Sequence, residues 1–154
     1  MKQILIVGAG PAGMRAAKIF VDAGIKPIVV DEAERAGGQI YRRRSAKELY
    51  GSEAAKAVAL HHIFDKMVQK NQVTYYPRCS VVALANGQAH VLGADGVFQC
   101  PYDKLIIATG ATDRLAPVPG WQAPGVYSLG AAQIALKAQG VALGQRIVLA
   151  GAGP

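Results

Sequence analysis

A chain of 154 residues with 51% apolar residues and a mean hydropathy of +0.20 can bury a sizeable core, which indicates a folded globular protein. No apolar run is long enough for a membrane span, and Ile4 to Val7 is too short for a signal peptide, so we expect a cytoplasmic protein. The net charge is +7, and the one dense cluster of basic residues is Arg42 to Arg44. We interpret the excess positive charge as a solvated basic face rather than a nucleic-acid interface.

The first thirty-two residues predict a strand, a glycine turn, a helix and a second strand that ends in an acid. Gln3 to Val7 and Ile28 to Val30 are apolar runs suited to strands buried on both faces. Between them, Gly8-Ala9-Gly10-Pro11-Ala12-Gly13 has G-x-G-x-x-G spacing. Gly8 permits the tight turn, Gly10 leaves room for a pyrophosphate, and Gly13 lets the helix pack closely on the sheet.

The predicted helix after this turn supplies a binding end and a buried face. Its first backbone N–H groups and its positive dipole end favour phosphate, and Pro11 costs little in a first turn. Gly24 closes the helix, and its apolar face is formed by Met14, Ala17, Ile19, Phe20 and Val21.

An acid follows the second strand at the position expected for a nucleotide site. Asp31 lies 23 residues after Gly8, where a carboxylate accepts hydrogen bonds from a ribose, and Glu32 is the alternative for that role. The competing interpretation is a plain strand-turn-helix whose glycines serve only packing.

A glycine pair after the acid predicts a loop that turns back across the nucleotide. Gly37 and Gly38 offer backbone donors and Gln39 a side-chain amide, although a simple surface turn has the same composition. The arginines that follow could reach a phosphate or a partner's carboxylate, but we interpret Arg42 to Arg44 as solvated.

From Ser45 to Asn71 the pattern is helical, with Ser52 as a weak N-cap. His61 and His62 point about 100° apart on a helix, so we expect ordinary helix residues and no metal site. Cys79 and Cys100 form no C-x-x-C pair, and we expect both to be reduced and structural. The stripe that we expect to cover the sheet consists of Ala55, Val58, Ala59, His62, Ile63 and Met67.

Short β segments then alternate with turn residues. Their spacing, with Asn86-Gly87 and Asp95-Gly96 as hairpin turns, predicts a small antiparallel meander that replaces a helical crossover. The segments are Val73 to Tyr76, Ser80 to Ala85, Ala89 to Gly93 and Val97 to Cys100. Lys104 to Ala108 is again a buried type of strand, and it runs into Thr109-Gly110 beside the ligand crevice.

The last part of the chain repeats its beginning. An irregular linker rich in proline and glycine surrounds Trp121, and a helix is predicted from Leu129 to Gln139. Gln145 to Ala150 predicts a strand, and residues 151–154 repeat the letters GAGP of residues 8–11. We therefore expect an N-terminal part of a longer two-domain protein. Its predicted divisions are a first domain over 1–115, a linker and helix over 116–144, and the truncated start of a second domain over 145–154.

With these motifs, the chain resembles the two-dinucleotide flavoprotein superfamily that includes thioredoxin reductase and glutathione reductase. The segments GGQIYRR, PGWQAPGV and SLGAAQ look most like the A (alpha) subunits of opine oxidases, hydrogen cyanide synthase and hydroxyproline or proline dehydrogenases. The resemblance implies an α/β, Rossmann-like FAD/NAD(P)-binding fold: a parallel sheet with helices and a small antiparallel meander as crossover.

The resemblance also implies a set of cofactor contacts. FAD would bind extended, with its pyrophosphate at residues 8–13, its ribose at Asp31, and the 37–39 loop and Ala108-Thr109-Gly110 nearby. NAD(P) would bind in the second domain, beyond Pro154. The cysteine pair that glutathione-type reductases carry after the glycine pair is replaced by Ile40-Tyr41-Arg42, which argues against disulfide chemistry there.

Flavin hydride chemistry rests mainly on the cofactor, and we expect no catalytic side chain in this chain. The favoured function is the FAD-binding portion of a dehydrogenase or oxidase whose small-molecule substrate is an amine, an amino acid or an opine. The alternatives are a non-catalytic nucleotide-binding subunit of a heteromeric dehydrogenase, with a partner subunit, and an NAD(P)H-dependent disulfide or ferredoxin-type reductase.

Overall fold

The computed structural model describes residues 2–43 and 53–151. These residues form two units, one made of 2–43 and 53–111 and the other of 112–151, and each is described by itself. In the part of the chain that the structure describes, no helix is both long enough and apolar enough to span a membrane.

The first unit is built on a four-stranded parallel sheet. Its strands are β1 (Ile4–Val7), β2 (Ile28–Asp31), β3 (Thr74–Pro77) and β7 (Lys104–Ile107), and they lie in the order β3-β2-β1-β7. β1 lies in the centre, with Val7 opposite Val30 on one side and Ile107 on the other. Nearly every residue of β1 and β2 is buried, as expected for strands covered on both faces.

Two helices cover one face of this sheet. Helix α1 (Pro11–Asp22) buries Met14 and Ala17 against Ile4, Ile6 and Val29, and α2 (Glu53–Gln69) completes this core. The prediction for α1 was wrong at one position, because Ile19 is 66% exposed. The α1 helix ends as predicted, since the left-handed Gly24 donates its N–H to the carbonyl of Val21 at 3.0 Å.

Helix α2 exposes the stripe that the sequence predicts to be buried. Val58 is 64% exposed, and of the predicted stripe only Met67 is buried. The buried positions are Leu60, Phe64 and Met67, so the helix is rotated by about one residue, or 100°, from the prediction. The rotation buries Phe64, the largest of the fully buried side chains among the described residues. Its ring lies edge-on to that of Tyr75, with a centroid distance of 5.2 Å. The predicted helix start, from Ser45 through the Ser52 cap, lies outside the described residues.

An antiparallel three-stranded meander covers the other face. It consists of β4 (Ser80–Ala85), β5 (Gln88–Gly93) and β6 (Gly96–Pro101). The buried side chains of Ala89, Val91 and Cys100 pack on Leu5 and Val30. The first turn is Asn86-Gly87 as predicted, whereas the second is Ala94-Asp95, because Gly96 already pairs with Gly93.

The structure corrects the predicted four-segment meander. Thr74–Pro77 pairs in parallel with β2, Tyr75 lying opposite Val29, and therefore belongs to the main sheet. Strand spacing along the chain does not distinguish the two arrangements, because pairing is decided by contacts with residues far away in the sequence.

The second unit contains one helical segment among its described residues. Helix α3 (Leu129–Ile134) continues into a π-helical turn, Ala135–Gln139, and ends at the left-handed Gly140. The Ser128 side chain accepts a hydrogen bond from the N–H of Ala131 at 3.1 Å. Within the described residues no strand forms over Gln145 to Ala150, since no neighbouring strand accepts its backbone hydrogen bonds.

Candidate functional site

The glycine turn joins β1 to α1 at the carboxyl edge of the parallel sheet. Gly8 has φ +102°, a left-handed conformation, and its N–H donates to the carbonyl of Val30 at 2.7 Å. A Cβ atom on Gly8 would lie 2.3 Å from the Ala108 carbonyl oxygen, and one on Gly13 would lie 1.9 Å from the Gly8 carbonyl oxygen. The fold itself therefore requires glycine at both positions.

Gly10 differs from both of these glycines. Its φ of −70° is open to any residue, and a Cβ atom there would meet only the Gly38 Cα, at 3.8 Å. The packing of the described residues does not require this glycine. The position leaves space in which a group such as a pyrophosphate could approach the backbone.

The amino end of α1 has free binding capacity. Among the described residues no side chain caps the helix at Gly10, and no acidic residue lies in its first turn. Pro11 has no N–H, so the unpaired donors of this turn belong to its neighbours, Ala12 among them. Backbone donors and a positive dipole end without a carboxylate suit a phosphate.

Asp31 is buried at the end of β2 and holds the glycine turn. One oxygen of its carboxylate accepts a hydrogen bond from the Ala9 N–H, and the other accepts one from the Ala33 N–H at 2.7 Å. Glu32 is exposed and takes no part in these two bonds. The buried acid thus has a structural role that the sequence prediction did not include, and a carboxylate oxygen still has lone pairs for a ribose hydroxyl.

The loop after β2 lies directly on the glycine turn. The Gly37 N–H donates to the Ala9 carbonyl at 2.8 Å, and a Cβ atom on Gly38 would lie 2.9 Å from the Gly10 Cα. Both glycines have positive φ, +146° and +60°, so neither tolerates a side chain easily. Gln39 is exposed at the end of the pair.

The end of β7 completes this edge of the sheet. The Ala108 N–H donates to the Val7 carbonyl at 2.8 Å, which continues the ladder beside the glycine turn. The Thr109 backbone nitrogen lies next to Gly8, and both Thr109 and Gly110 are exposed. The structure thus brings the predicted residues of all four segments to one edge of the sheet.

Three residues of this region, Arg43, Asp65 and His61, have contacts that the sequence did not predict. Arg43 was expected to be solvated, but its Nη atoms bind both carboxylate oxygens of Asp65, at 2.7 and 2.6 Å, and its Nε binds the Ala36 carbonyl at 3.0 Å. His61 places Nε2 2.8 Å from the Tyr41 carbonyl. Burial, together with the nearby Arg43 charge, lowers the pKa of His61. Residue 44, the last member of the predicted basic cluster, lies outside the described residues.

The two cysteines are free: Cys79 is half-buried, and Cys100, in strand β6 of the meander, is buried between the meander and the parallel sheet. Burial raises the pKa of the Cys100 thiol, and the neighbouring Cys79 adds to this. An unreactive structural thiol is the expected state at Cys100.

The family follows from comparison with known proteins. The family model for pyridine nucleotide-disulphide oxidoreductases matches residues 2–154, so the chain belongs to this family.

Two of the similar proteins are subunits of larger enzymes. The A subunit of opine oxidase from Rhizobium meliloti is 41% identical over 98% of this chain and 31% of that protein. The hydrogen cyanide synthase subunit HcnB of Pseudomonas protegens is 38% identical over 97% of this chain and 33% of that protein. The chain therefore spans about a third of the length of these curated relatives.

The fold is shared with a solved oxidoreductase. L-proline dehydrogenase from P. horikoshii superposes with a TM-score of 0.70 at 19% identity, over 93% of this chain and 29% of that one. This confirms the predicted α/β, Rossmann-like fold with a parallel sheet and a small antiparallel sheet.

Proposed function

We propose that this chain forms the FAD-binding portion of a flavin-dependent oxidoreductase that acts on an amine, an amino acid or an opine. The observation that carries the proposal is Gly10, a glycine at the mouth of a backbone-lined cradle that the protein's own packing does not require. The names of the relatives, an opine oxidase and a sarcosine oxidase among them, support the substrate class.

The residues of the cradle fit FAD. The first turn of α1 would hold the pyrophosphate through backbone N–H groups, and Asp31 or Glu32 would accept hydrogen bonds from the ribose. Gly37, Gly38 and Gln39 would lie against the dinucleotide on one side, and Ala108, Thr109 and Gly110 on the other. When bound, the flavin supplies a two-electron acceptor for a hydride from a substrate carbon.

The described side chains serve binding and orientation rather than proton transfer. Burial raises the pKa of Tyr75, so its phenol stays protonated, and the half-buried His61 holds a backbone carbonyl. We therefore propose that no residue here acts as a general base, and that substrate contacts lie elsewhere in the full protein.

The proposal extends to the rest of the predicted organisation. The division at 115 rests on the proline- and glycine-rich linker that follows it, and a second, NAD(P)-type domain beginning at residue 145 rests on the repeated GAGP letters. A cytoplasmic location accords with two free cysteines.

A second candidate is a nucleotide-binding subunit that does not itself turn over substrate. It is favoured by the names of the relatives, several of which are subunits. In that case the partner subunit would carry substrate chemistry. A reductase acting on disulfides or ferredoxin is the third candidate, and a ferredoxin–NADP reductase of Ignicoccus hospitalis is 29% identical over 99% of this chain.

The test is to purify the full-length protein, denature it and identify the released small molecule by mass spectrometry. FAD with flavin absorbance that bleaches on adding an amine, amino acid or opine supports the proposal. Bound adenine nucleotide without flavin supports the second candidate. A flavin that bleaches only with NAD(P)H supports the third, and Gly10→Val should abolish binding in every case.

A further inference from the structure

Arg43 joins the glycine-pair loop to helix α2. Its guanidinium binds Asp65 through two parallel hydrogen bonds and, at the same time, binds the carbonyl of Ala36, the residue before Gly37. The Arg43 side chain is 22% exposed and that of Asp65 is 43% exposed. A planar fork that satisfies two acceptors at once requires arginine rather than lysine.

A second link runs parallel to the first. His61 lies one helical turn before Asp65 on α2, so both side chains stand on the same face of the helix. The His61 Nε2 donates to the Tyr41 carbonyl at 2.8 Å. Helix α2 thus contacts the C-terminal part of the 36–43 loop at Tyr41 and Arg43, and the Arg43 side chain in turn binds Ala36 at the start of the loop.

On its other side, this loop contacts the glycine turn between β1 and α1. The Gly37 N–H donates to Ala9, and Gly38 touches the Gly10 backbone. Tyr41 in turn donates its N–H to the Gly37 carbonyl at 3.1 Å. Through Arg43 and Ala36, α2 is thus linked to the glycine pair that lies against Gly10.

We infer that Arg43 and Asp65 form a positioning pair that orders the Ala36 to Gln39 loop for flavin binding. This inference rests on the proposed function. Neither side chain needs to touch the cofactor, because each acts through the loop. Without the pair, the loop samples other positions, and the apparent dissociation constant rises in inverse proportion to the fraction that remains competent.

The test compares Arg43→Lys and Asp65→Asn with wild type in the full-length protein after removal of its flavin. Arg43→Lys keeps the charge but loses the fork, and Asp65→Asn loses the charge but keeps the shape. Arg78→Lys and Glu34→Gln are matched controls, since they alter in the same way an exposed ion pair of 2.9 Å.

Three quantities are measured for each protein: the dissociation constant for FAD, the exchange rate of the Gly37 amide hydrogen, and the urea midpoint. Both test variants should bind FAD roughly tenfold more weakly, as if about one loop in ten stayed ordered. The Gly37 amide should exchange faster in both, while the urea midpoint stays near that of the controls. A purely structural pair would shift the midpoint and leave FAD affinity of the folded protein unchanged.

Unchanged FAD affinity in both test variants, with wild type binding FAD, overturns the inference and leaves the proposed function intact. A wild-type protein that binds no flavin refutes the proposed function, and the role of the pair in flavin binding is refuted with it. Equal losses in the test variants and the controls also overturn the inference, because the effect would then not depend on the contact between Arg43 and Asp65.

Discussion

Alanine substitutions at Gly10 and Gly13 should separate binding from folding. The two glycines lie three residues apart in the same turn, but only Gly13 is confined by the protein. Its added Cβ would lie 1.9 Å from the Gly8 carbonyl oxygen, whereas that of Gly10 would find its nearest neighbour at 3.8 Å. We expect Gly13→Ala to damage the fold and Gly10→Ala to damage only the binding of FAD.

The magnitudes follow from these distances. A contact of 1.9 Å forces the turn and α1 apart by more than an ångström, and overpacking of this kind costs about 1–3 kcal/mol of unfolding free energy. Gly10 has an extended conformation and caps the helix only through its backbone, so Gly10→Ala should cost less than about 1 kcal/mol. A methyl group at Gly10 would displace the pyrophosphate from donors worth roughly 1.5–3 kcal/mol. The expected loss of FAD affinity is therefore roughly ten- to a hundredfold.

The assay is urea denaturation followed by circular dichroism, together with titration of the flavin-free full-length protein with FAD. Gly24→Ala serves as a second control, because its added Cβ meets nothing within 4 Å although its φ is +74°. It should lose stability through backbone strain and keep its affinity. If Gly10→Ala binds FAD as tightly as wild type, the assignment of the turn to the pyrophosphate is wrong. If Gly13→Ala is as stable as wild type, the steric argument fails.

Three further predictions concern single side chains. Asp31→Asn should lower the unfolding free energy by about 1–3 kcal/mol, because an amide cannot accept both backbone hydrogen bonds. The control Glu32→Gln should change it by less than about 0.5 kcal/mol. Equal urea midpoints for the two variants would contradict this prediction. Because the pKa of His61 is lowered from 6.5, the unfolded chain binds more protons below that pH, so stability should fall on acidification from about pH 7.5 to about pH 5.5. That fall should be smaller in His61→Gln but not in the exposed control His62→Gln. Iodoacetamide should label Cys79 before Cys100 by mass spectrometry, since burial raises the pKa of the Cys100 thiol, and the reverse order would refute the burial argument.

The strand-turn-helix unit at the start of the chain was predictable almost to the residue. β1 begins at Ile4 rather than Gln3, β2 extends one residue further to Asp31, and α1 begins at Pro11. Such a unit can be predicted because its requirements are local: a short apolar run, glycines where the backbone turns tightly, and an acidic residue at a set distance along the sequence. The segments that meet at the sheet edge were predictable for the same reason.

The face of α2 and the role of Arg43 could not be predicted in this way. Alanine, valine, leucine and isoleucine occur on several sides of α2, so the spacing of apolar residues alone permits more than one buried face. The buried face is the one that packs Phe64 on Tyr75. Tyr75 lies in β3, which the sequence analysis had placed in the meander and not in the parallel sheet. Arg43 has its partner Asp65 22 residues away, and no local pattern distinguishes it from its neighbours in the basic cluster.

By itself, the sequence determined that this chain carries a dinucleotide-type glycine turn, an acidic residue after the second strand and a second glycine loop, because each is a pattern of residues close together in the sequence. Only the tertiary structure showed that Asp31 accepts hydrogen bonds from the glycine turn, that the protein's own atoms exclude a side chain at Gly8 and Gly13 but not at Gly10, and that Arg43 binds both the Ala36 carbonyl and Asp65 of α2. These depend on atoms brought within 4 Å of one another from distant parts of the chain, and such contacts exist only once the sheet has formed.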